Sequence, residues 1–204
     1  MKKSEKTELT REKILAAAVC EFGTKGFGGA SVNNICKDNN ISKGLIYHNF
    51  ESKEDLYLHC VDYTFHQFIH FIKEQGTGED MQGYMALRCR FFSENPLLSR
   101  IFFEAVLQPP GHLAAYIRDL KKELDECNLN IYRSALDKIT LRPGITRKEA
   151  LEYYNIIQEM FNGYFSGAAS SGSNFPSVIS EHETKLAGIL DFMLYGIADG
   201  GKER

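Results

Sequence analysis

Five side chains suited to binding a polyanion lie close together in the stretch SKGLIYHNFESK, residues 42–53: Ser42, Lys43, Tyr47, His48 and Lys53. Hydroxyl, ammonium and imidazole groups donate hydrogen bonds to phosphate oxygens, and a lysine can also donate to O6 or N7 of guanine. The types and the close spacing of these residues therefore predict contact with nucleic acid.

Two short helices joined by a turn would position these groups. Ser31 and Ser42 are each well placed to cap a helix, and the second helix would run from Ser42 through Phe50. Asn39 and Asn40, in the turn between the helices, belong to the residue types that tolerate positive φ. This arrangement is typical of a helix-turn-helix, in which the second helix enters the major groove of double-stranded DNA.

The second helix is expected to have one buried and one exposed face. We expect Ile46 and Phe50 to be buried against the preceding helices, which leaves the polar side chains exposed. A glycine inside a helix costs about 1 kcal/mol relative to alanine, so Gly44 is explained if this face approaches the wall of a DNA groove. The alternative is an ordinary surface helix in which the serines serve only as caps.

The charge of the chain is unevenly distributed, although the formal net charge is only -3 for 204 residues. Residues 1–60 hold nine Lys and Arg against eight Asp and Glu, whereas residues 61–204 hold 15 against 19. A polyanion would therefore meet the N-terminal part of the chain. We find neither a signal-peptide core nor a run that could span a membrane, so we expect a cytoplasmic protein with no membrane partner.

Apolar periodicity predicts helices throughout the chain and no strand alternation, so the expected fold class is all-α. An N-terminal three-helix helix-turn-helix domain with its tail, residues 1–52, would precede a larger helical domain, residues 53–204. Capping and breaking residues predict helices over 10–25, 53–75, 112–140, 147–170 and 179–198, with another helix starting at Asn95-Pro96.

The stretch ILAAAVCEFGTKGFGGASVNNICKDNNISKGLIYHNFESKEDL resembles the DNA-binding domain of the TetR (tetracycline repressor) family of bacterial transcriptional regulators. The shared pattern is an apolar first helix, a Gly-Phe pair, a Ser-capped second helix, a Ser-x-Gly turn and a Tyr-x-x-Phe-x-Ser-Lys-Glu ending. The resemblance covers residues 8–60. It implies a homodimer, usually a repressor, that binds palindromic operator DNA through contacts at Ser31, Ser42, Lys43, Gly44, Tyr47, His48 and Lys53.

Departures from the family pattern affect the expected base preference. Leu45 lies where threonine is frequent, so a hydroxyl contact to phosphate is lost and a contact with a thymine methyl group becomes available. Asn39-Asn40 replaces the usual Ala-Gly, and Asn49 stands where Tyr or His is common. The operator sequence is therefore not transferable from relatives.

The resemblance also implies that residues 53–204 form a divergent helical domain that dimerises and holds a small apolar inducer. Two apolar helices at the end of a chain need a partner, so we expect 147–170 and 179–198 to form a four-helix dimer interface. The predicted interface residues are Leu151, Tyr154, Leu186, Leu190, Met193 and Ile197.

Aromatic residues are frequent, with 14 Phe and 10 Tyr but no Trp. We hypothesise a pocket for an aromatic or fatty effector, although aromatic residues at helical spacing also form ordinary core. Effector binding would tilt the fourth helix and loosen DNA binding through a coupling of about 1–3 kcal/mol. The candidate lining residues are Phe65, Phe91, Phe92, Phe102, Phe103, Tyr116, Phe161 and Phe165.

Motifs for other chemistry are missing from the sequence. G-x-S-x-G, Walker A and strand-linked G-x-G-x-x-G patterns are absent, so we predict no enzyme, no catalytic residue and no cofactor. Five cysteines without a C-x-x-C pair are expected to be reduced core residues. One helix face carries His59, Asp62, His66 and His70; we expect a solvated or core-edge face rather than a metal site, with a ligand contact as a further alternative.

Overall fold

The structure, a computed structural model, describes residues 3–76, 81–170 and 174–197, with side chains described at 8–76, 81–167 and 174–196. Within these ranges the chain forms ten α-helices and one short 3₁₀ helix, Gly111–Leu113, which confirms the all-α class. The helices are α1 (Lys3–Gly29), α2 (Val32–Asn39), α3 (Lys43–Asn49), α4 (Lys53–Gln75), α5 (Met81–Glu94), α6 (Pro96–Leu107), α7 (Ala114–Leu120), α8 (Lys122–Leu136), α9 (Arg147–Ser170) and α10 (Phe175–Ile197).

The chain divides into two compact units. One comprises Met1–Gln67 and Phe92–Lys121, where α1 packs mainly on α6 and also on α2. The other comprises Phe68–Phe91 and Lys122–Arg204, where α9 packs on α10 and on α8. The division between the two units falls within α4, after Gln67. The domain boundary predicted between residues 52 and 53 stays a prediction.

The N-terminal helix is interrupted where the sequence predicts. Ile14, Ala18 and Phe22, spaced four residues apart, are all buried and form the inner stripe of α1. Gly26 then adopts φ 70° and ψ 172°, which is not helical and which glycine adopts without steric cost. α1 therefore has a break at Gly26 and a short continuation to Gly29.

Two predictions for the C-terminal helices are wrong in their boundaries. The helix expected over 112–140 is divided at Lys121 into α7 and α8, and α8 ends at Leu136. α10 begins at Phe175 and not near residue 179, since a proline is tolerated in the first turn of a helix, where Pro176 lies. The predicted capping box before α9 is confirmed, with Glu149 Oε2 accepting from the N–H of Thr146 at 2.9 Å.

The five cysteines differ in burial, and most of them are not part of the core. All five are free, but only Cys60 is buried, whereas Cys20 and Cys89 are exposed and Cys36 and Cys127 are half-buried. The expectation that they belong to the core is therefore wrong for four of the five.

None of the helices in the described ranges combines the length and the apolar character that crossing a bilayer requires.

Candidate nucleic-acid interface

Hydrogen bonds at both helix starts build the predicted turn. The hydroxyl oxygen of Ser31 accepts from the backbone N–H of Asn33 at 3.2 Å, and that of Ser42 accepts from the N–H of Leu45 at 3.2 Å. Between the two helices Asn40 adopts the left-handed conformation, with φ 52° and ψ 46°. Both predicted caps and the positive-φ asparagine are therefore confirmed.

α3 has one buried and one exposed face. Ile46 and the following Phe50 are 1% and 2% exposed, which confirms that they face inward. Their burial anchors a helix of only seven residues, which would be unstable in isolation. The opposite face is exposed and carries the side chains predicted to contact DNA: Lys43, Leu45, Tyr47 and His48.

Gly44 lies on this exposed face. No heavy atom of the described chain lies within 4 Å of the position that a Cβ atom would occupy there, apart from the helix's own backbone and the chain neighbours. The packing of the free protein therefore does not require glycine at this position. This is what we expect if the close approach comes from a surface outside the protein.

Lys53 is held at the start of α4. The Oγ atom of Ser52 accepts from the N–H of Asp55 at 3.1 Å, and the Asp55 carboxylate accepts from the N–H of Glu51 at 2.9 Å. The ammonium group of the half-buried Lys53 lies 4.5 Å from the centre of the Phe27 ring, a cation–π distance. The position of this basic group is therefore set by α1 as well as by α4.

Arg11 braces the C-terminal end of α3, and our sequence analysis missed it. Its Nη1 donates to the carbonyl oxygen of Asn49 at 2.8 Å, and its guanidinium lies 4.4 Å from the centre of the Phe50 ring. Its Nη2 lies 2.8 Å from Nε2 of His59. No sequence signal distinguishes Arg11 from the other basic residues of the polar N-terminus.

Glu21 fixes the start of α2 and was also missed. Its Oε1 accepts from the N–H of Ser31 and from Nδ2 of Asn34, both at 3.0 Å, and Lys25 pairs with the same carboxylate. Burial alone would raise the pKa of Glu21, but the hydrogen bonds from Lys25, Asn34 and Ser31 lower it below its usual value. The sequence did contain a signal for this role, because Glu21 is a charged residue next to Phe22 in an otherwise apolar stretch.

The histidines on one face of α4 contact different partners. His59 contacts Arg11, whereas Nδ1 of His66 lies 3.3 Å from a carboxylate oxygen of Asp62. His70 lies 3.3 Å from a different carboxylate, that of Glu74. Across the described ranges, no three His, Cys, Asp or Glu side chains are grouped so that they could hold a metal ion.

The residues predicted to line an effector pocket fall into separate places. In the unit that contains α1, Phe92 packs on Phe102 and Phe103 with ring centres 4.9 and 4.8 Å apart, and Phe65 packs on Phe102 at 5.4 Å. These four rings form buried core. Tyr116, in contrast, is exposed.

The other three candidates lie in the unit that contains α9. Phe91 is buried with its ring centre 5.3 Å from that of Phe68. Phe161 and Phe165 are both buried, with ring centres 5.0 Å apart, and they line a groove of about 720 Å³ between α9 and α10. The eight aromatic residues are therefore not brought together in one pocket.

The residues predicted to form the dimer interface face the protein's own core. Tyr154, Leu186, Leu190 and Met193 are buried and Leu151 is half-buried, because α9 packs on α10 and on α8. Side chains buried within one chain have little surface left for a second copy, and their part in a dimer interface stays a prediction. The side chain of Ile197 lies outside the described residues.

A different face of α9 and α10 is apolar and exposed. Met160 is 69% exposed and Phe192 75% exposed, and Ile156, Tyr164 and Tyr195 are exposed as well. Exposed apolar side chains concentrated on two adjacent helices typically mark an interaction surface. We call these five residues the outer face.

Comparison with known proteins shows what this chain is similar to. The family model described as bacterial regulatory proteins, tetR family, matches residues 14–60. The HTH-type transcriptional regulator UidR of Escherichia coli is 30% identical over 141 residues, which are 67% of this chain and 71% of UidR. IcaR of Staphylococcus epidermidis, a negative transcriptional regulator of the biofilm operon icaADBC, is 34% identical over 60% of this chain and 65% of IcaR, just under two thirds of its length.

Solved structures extend the similarity beyond the helix-turn-helix. The match with a TetR transcriptional regulator from Chloroflexus aurantiacus covers 92% of this chain and 96% of that regulator, with a TM-score of 0.62 and 19% identity. A TetR-family regulator from Pectobacterium atrosepticum covers 97% and 98%, with a TM-score of 0.60 and 18% identity. At these identities the likeness shows a shared fold.

Proposed function

This chain belongs to the TetR family of bacterial regulatory proteins, and from that premise we propose that it acts as a ligand-responsive repressor. Members of this family are DNA-binding transcription factors and not enzymes. In the proposed cycle a homodimer binds a palindromic operator, and a small apolar or aromatic effector releases it. The main observation behind the proposal is that one face of α3 is exposed, while Ile46 and the following Phe50 are buried on the opposite side.

We assign base recognition to this exposed face. Lys43, at the first position of α3, would donate to O6 or N7 of guanine, and Leu45 would contact a thymine methyl group. Tyr47 and His48 carry donors for base edges or phosphates. Gly44 leaves room for the groove wall, because it adds no side chain to the face.

Phosphate contacts are assigned to the flanking residues. Ser31 and Ser42 present hydroxyl groups at the starts of α2 and α3, and Lys53 presents an ammonium group at the start of α4. Contacts of this kind set the register of a protein on the duplex and carry no sequence information themselves. Arg11 and Glu21 would act indirectly, because they hold the helices that carry these groups.

Dimerisation is assigned to the outer face. Leaving this apolar surface in water is unfavourable, and a second copy related by a two-fold axis would cover it with the same residues. The groove between α9 and α10 lies on this face, with Met160, Tyr164 and Phe192 in its lining, and would receive side chains of the partner. Two copies of α3 would then meet half-sites about 34 Å apart.

The effector is proposed to act through α4. Lys53 and the buried Phe65 lie on this one continuous helix, so a tilt of α4 would displace the phosphate contact at its start. A coupling of about 1–3 kcal/mol between the two sites is enough to lower operator affinity by a factor of roughly 5–150. The identity of the effector is a matter for ligand screening.

The test is selection of bound sequences from random DNA, followed by affinity measurements at several salt concentrations. We expect enrichment of a palindrome whose half-site centres are about one helical turn apart, and an affinity that falls steeply with salt. Lys43→Ala should weaken binding to the selected site by about 1–3 kcal/mol and relax the preference at one base pair. Candidate effectors are then screened for release of the bound DNA.

Lys148→Ala is the matched control, because Lys148 is also an exposed lysine in the first turn of a helix. It should leave operator affinity unchanged. Failure to enrich any palindrome would overturn the proposed operator. An equal effect of both lysine substitutions would overturn the assignment of α3 as the reading helix.

A further inference from the structure

A groove lies within the unit that contains α1, and its walls come from α1, α4 and the start of α6. Its volume is about 650 Å³, which is in the range of small-molecule sites. From α1 it receives Glu12, Leu15, Ala16 and Val19, whose spacing places them on one face of the helix. None of the residues assigned above to DNA, to the effector or to the outer face lines this groove.

Most of the wall is apolar and only partly covered by the protein. Leu15 and Val19 on α1 are half-buried, as are Leu97 and Leu98 on α6. Tyr63 on α4 also lines the groove and is 38% exposed. Apolar surface in contact with water gains free energy when it is covered, so these walls favour an occupant with an apolar body.

Two carboxylates interrupt this apolar lining. Glu12 and Glu94 line the groove and are exposed, and no Lys, Arg or His is among its described lining residues. Neither carboxylate forms an ion pair with a described residue, whereas Glu21 on α1 pairs with Lys25 at 2.9 Å. Two uncompensated negative charges beside apolar walls attract a cation, and the aromatic ring of Tyr63 adds to that attraction.

The backbone on two sides of the groove is held without an occupant. A Cβ atom at Gly23 would lie 2.7 Å from both Cβ and the carbonyl oxygen of Leu97, so α1 and α6 meet here with no space for a side chain. Leu97 also lines the groove. The close packing of the two helices therefore fixes these walls, and binding does not have to create them.

We propose that this groove binds an amphipathic organic amine, a molecule with an apolar body and one ammonium group. The apolar walls cover the body, and Glu12 and Glu94 neutralise the ammonium charge. A cavity of about 150 Å³ is enough for benzene, so a body of one or two rings fits. A regulatory effect of the amine would rest on the proposed function, but its binding does not.

The test compares 4-phenylbutylamine with 4-phenylbutan-1-ol, which has the same shape but no charge. Isothermal titration calorimetry on the full-length protein should show tighter binding of the amine, with an affinity that falls as salt is added. Glu12→Gln and Glu94→Gln should each weaken the amine by roughly two- to fivefold and leave the alcohol unchanged. Glu152→Gln, at an exposed position in the other compact unit, should change neither.

A further variant tests the location. Ala16 is exposed and lines the groove, so Ala16→Leu fills part of it and should abolish binding of both molecules, with circular dichroism confirming the fold. The proposal is overturned if the wild-type protein binds the two molecules equally or not at all, or if the glutamine variants affect both alike. Loss of self-association in Ala16→Leu, measured by light scattering, would also overturn it, because the groove would then be covered by a second copy. Operator affinity measured without amine distinguishes each of these failures from failure of the DNA-binding proposal.

Discussion

Glu104 on α6 holds the break in α1 through a direct contact with Phe27. Both carboxylate oxygens of Glu104 accept a hydrogen bond from the backbone N–H of Phe27, each at 3.0 Å. One of them also accepts from the hydroxyl of Tyr57 at 3.3 Å. A Cβ atom at Gly26 would lie 2.9 Å from the same carboxylate, so the close approach depends on glycine. The ring of Phe27 in turn lies under Lys53.

Removing the Glu104 carboxylate should loosen this junction. Glu104→Ala leaves the N–H of Phe27 without its charged acceptor, and we expect a loss of about 1.5–3 kcal/mol in the free energy of unfolding. Glu104→Gln keeps one acceptor oxygen and should cost less. Urea denaturation measures both, with the exposed Glu94→Ala as control. Equal losses for all three variants would contradict a specific role for Glu104.

Gly44→Ala should have opposite effects on stability and on DNA binding. Alanine is favoured over glycine in a helix by about 1 kcal/mol, and no described atom outside the local helix crowds a Cβ there, so the free protein should become more stable. The added methyl group would meet the groove wall and weaken operator binding. Urea denaturation and DNA titration of one preparation give both quantities. Unchanged operator affinity would show that the DNA does not approach this position.

Arg88 and Glu183 form a buried ion pair whose disruption should be strongly destabilising. Nε and Nη2 of Arg88 donate to the two carboxylate oxygens of Glu183 at 2.8 and 2.7 Å. Glu183→Gln leaves the Arg88 charge buried without its counterion, and we expect a loss of about 3–5 kcal/mol at neutral pH. Glu181→Gln, an exposed position on the same helix, should have little effect. Thermal or urea unfolding of the two variants checks this.

The same pair should make the stability depend on pH in the acidic range. Burial alone would raise the pKa of Glu183, but Arg88 and the hydrogen bond from His182 outweigh it and lower the pKa from its ordinary 4.5 to about 2. Because the folded value lies below the unfolded one, the stabilisation is complete above about pH 4.5 and is lost as the pH falls toward 2. Glu183→Gln should flatten the stability curve in this window, and an unchanged slope would contradict the assignment.

A charge placed on the outer face should prevent dimerisation. We expect Phe192→Asp to weaken self-association by more than tenfold, because the side chain is largely exposed in one chain and would be buried between two. Sedimentation equilibrium or light scattering measures the effect, and operator affinity should fall with it. Tyr116→Asp, at another exposed aromatic position in the other compact unit, should leave the association unchanged. A dimer that survives Phe192→Asp would place the interface elsewhere.

Features with local causes could be predicted from the sequence. The caps at Ser31 and Ser42 depend on hydrogen bonds that span two and three residues. Asn40 supplies the left-handed turn conformation through its own side-chain type. Ile46 and Phe50, four residues apart, had to share a face of one short helix. Neighbouring residues alone decide each of these features.

Residues whose role depends on distant partners could not be predicted. Arg11 bonds to a residue 38 positions away, and Glu104 to one 77 positions away. In the sequence both resemble ordinary surface charges. The same holds for Glu12 and Glu94, which line one groove only because α1 and α6 pack together.

The sequence by itself determined the helical class, the helix-turn-helix with one exposed face on its second helix, and the family. Only the tertiary structure decided which apolar side of the last two helices is core and which is exposed. Leu186, Leu190 and Met193 on one side of α10, and Phe192 and Tyr195 on another, are all apolar, so periodicity alone does not choose between them. The packing of α9 on α10 and α8 makes the choice, because it buries the first set and leaves the second in contact with water.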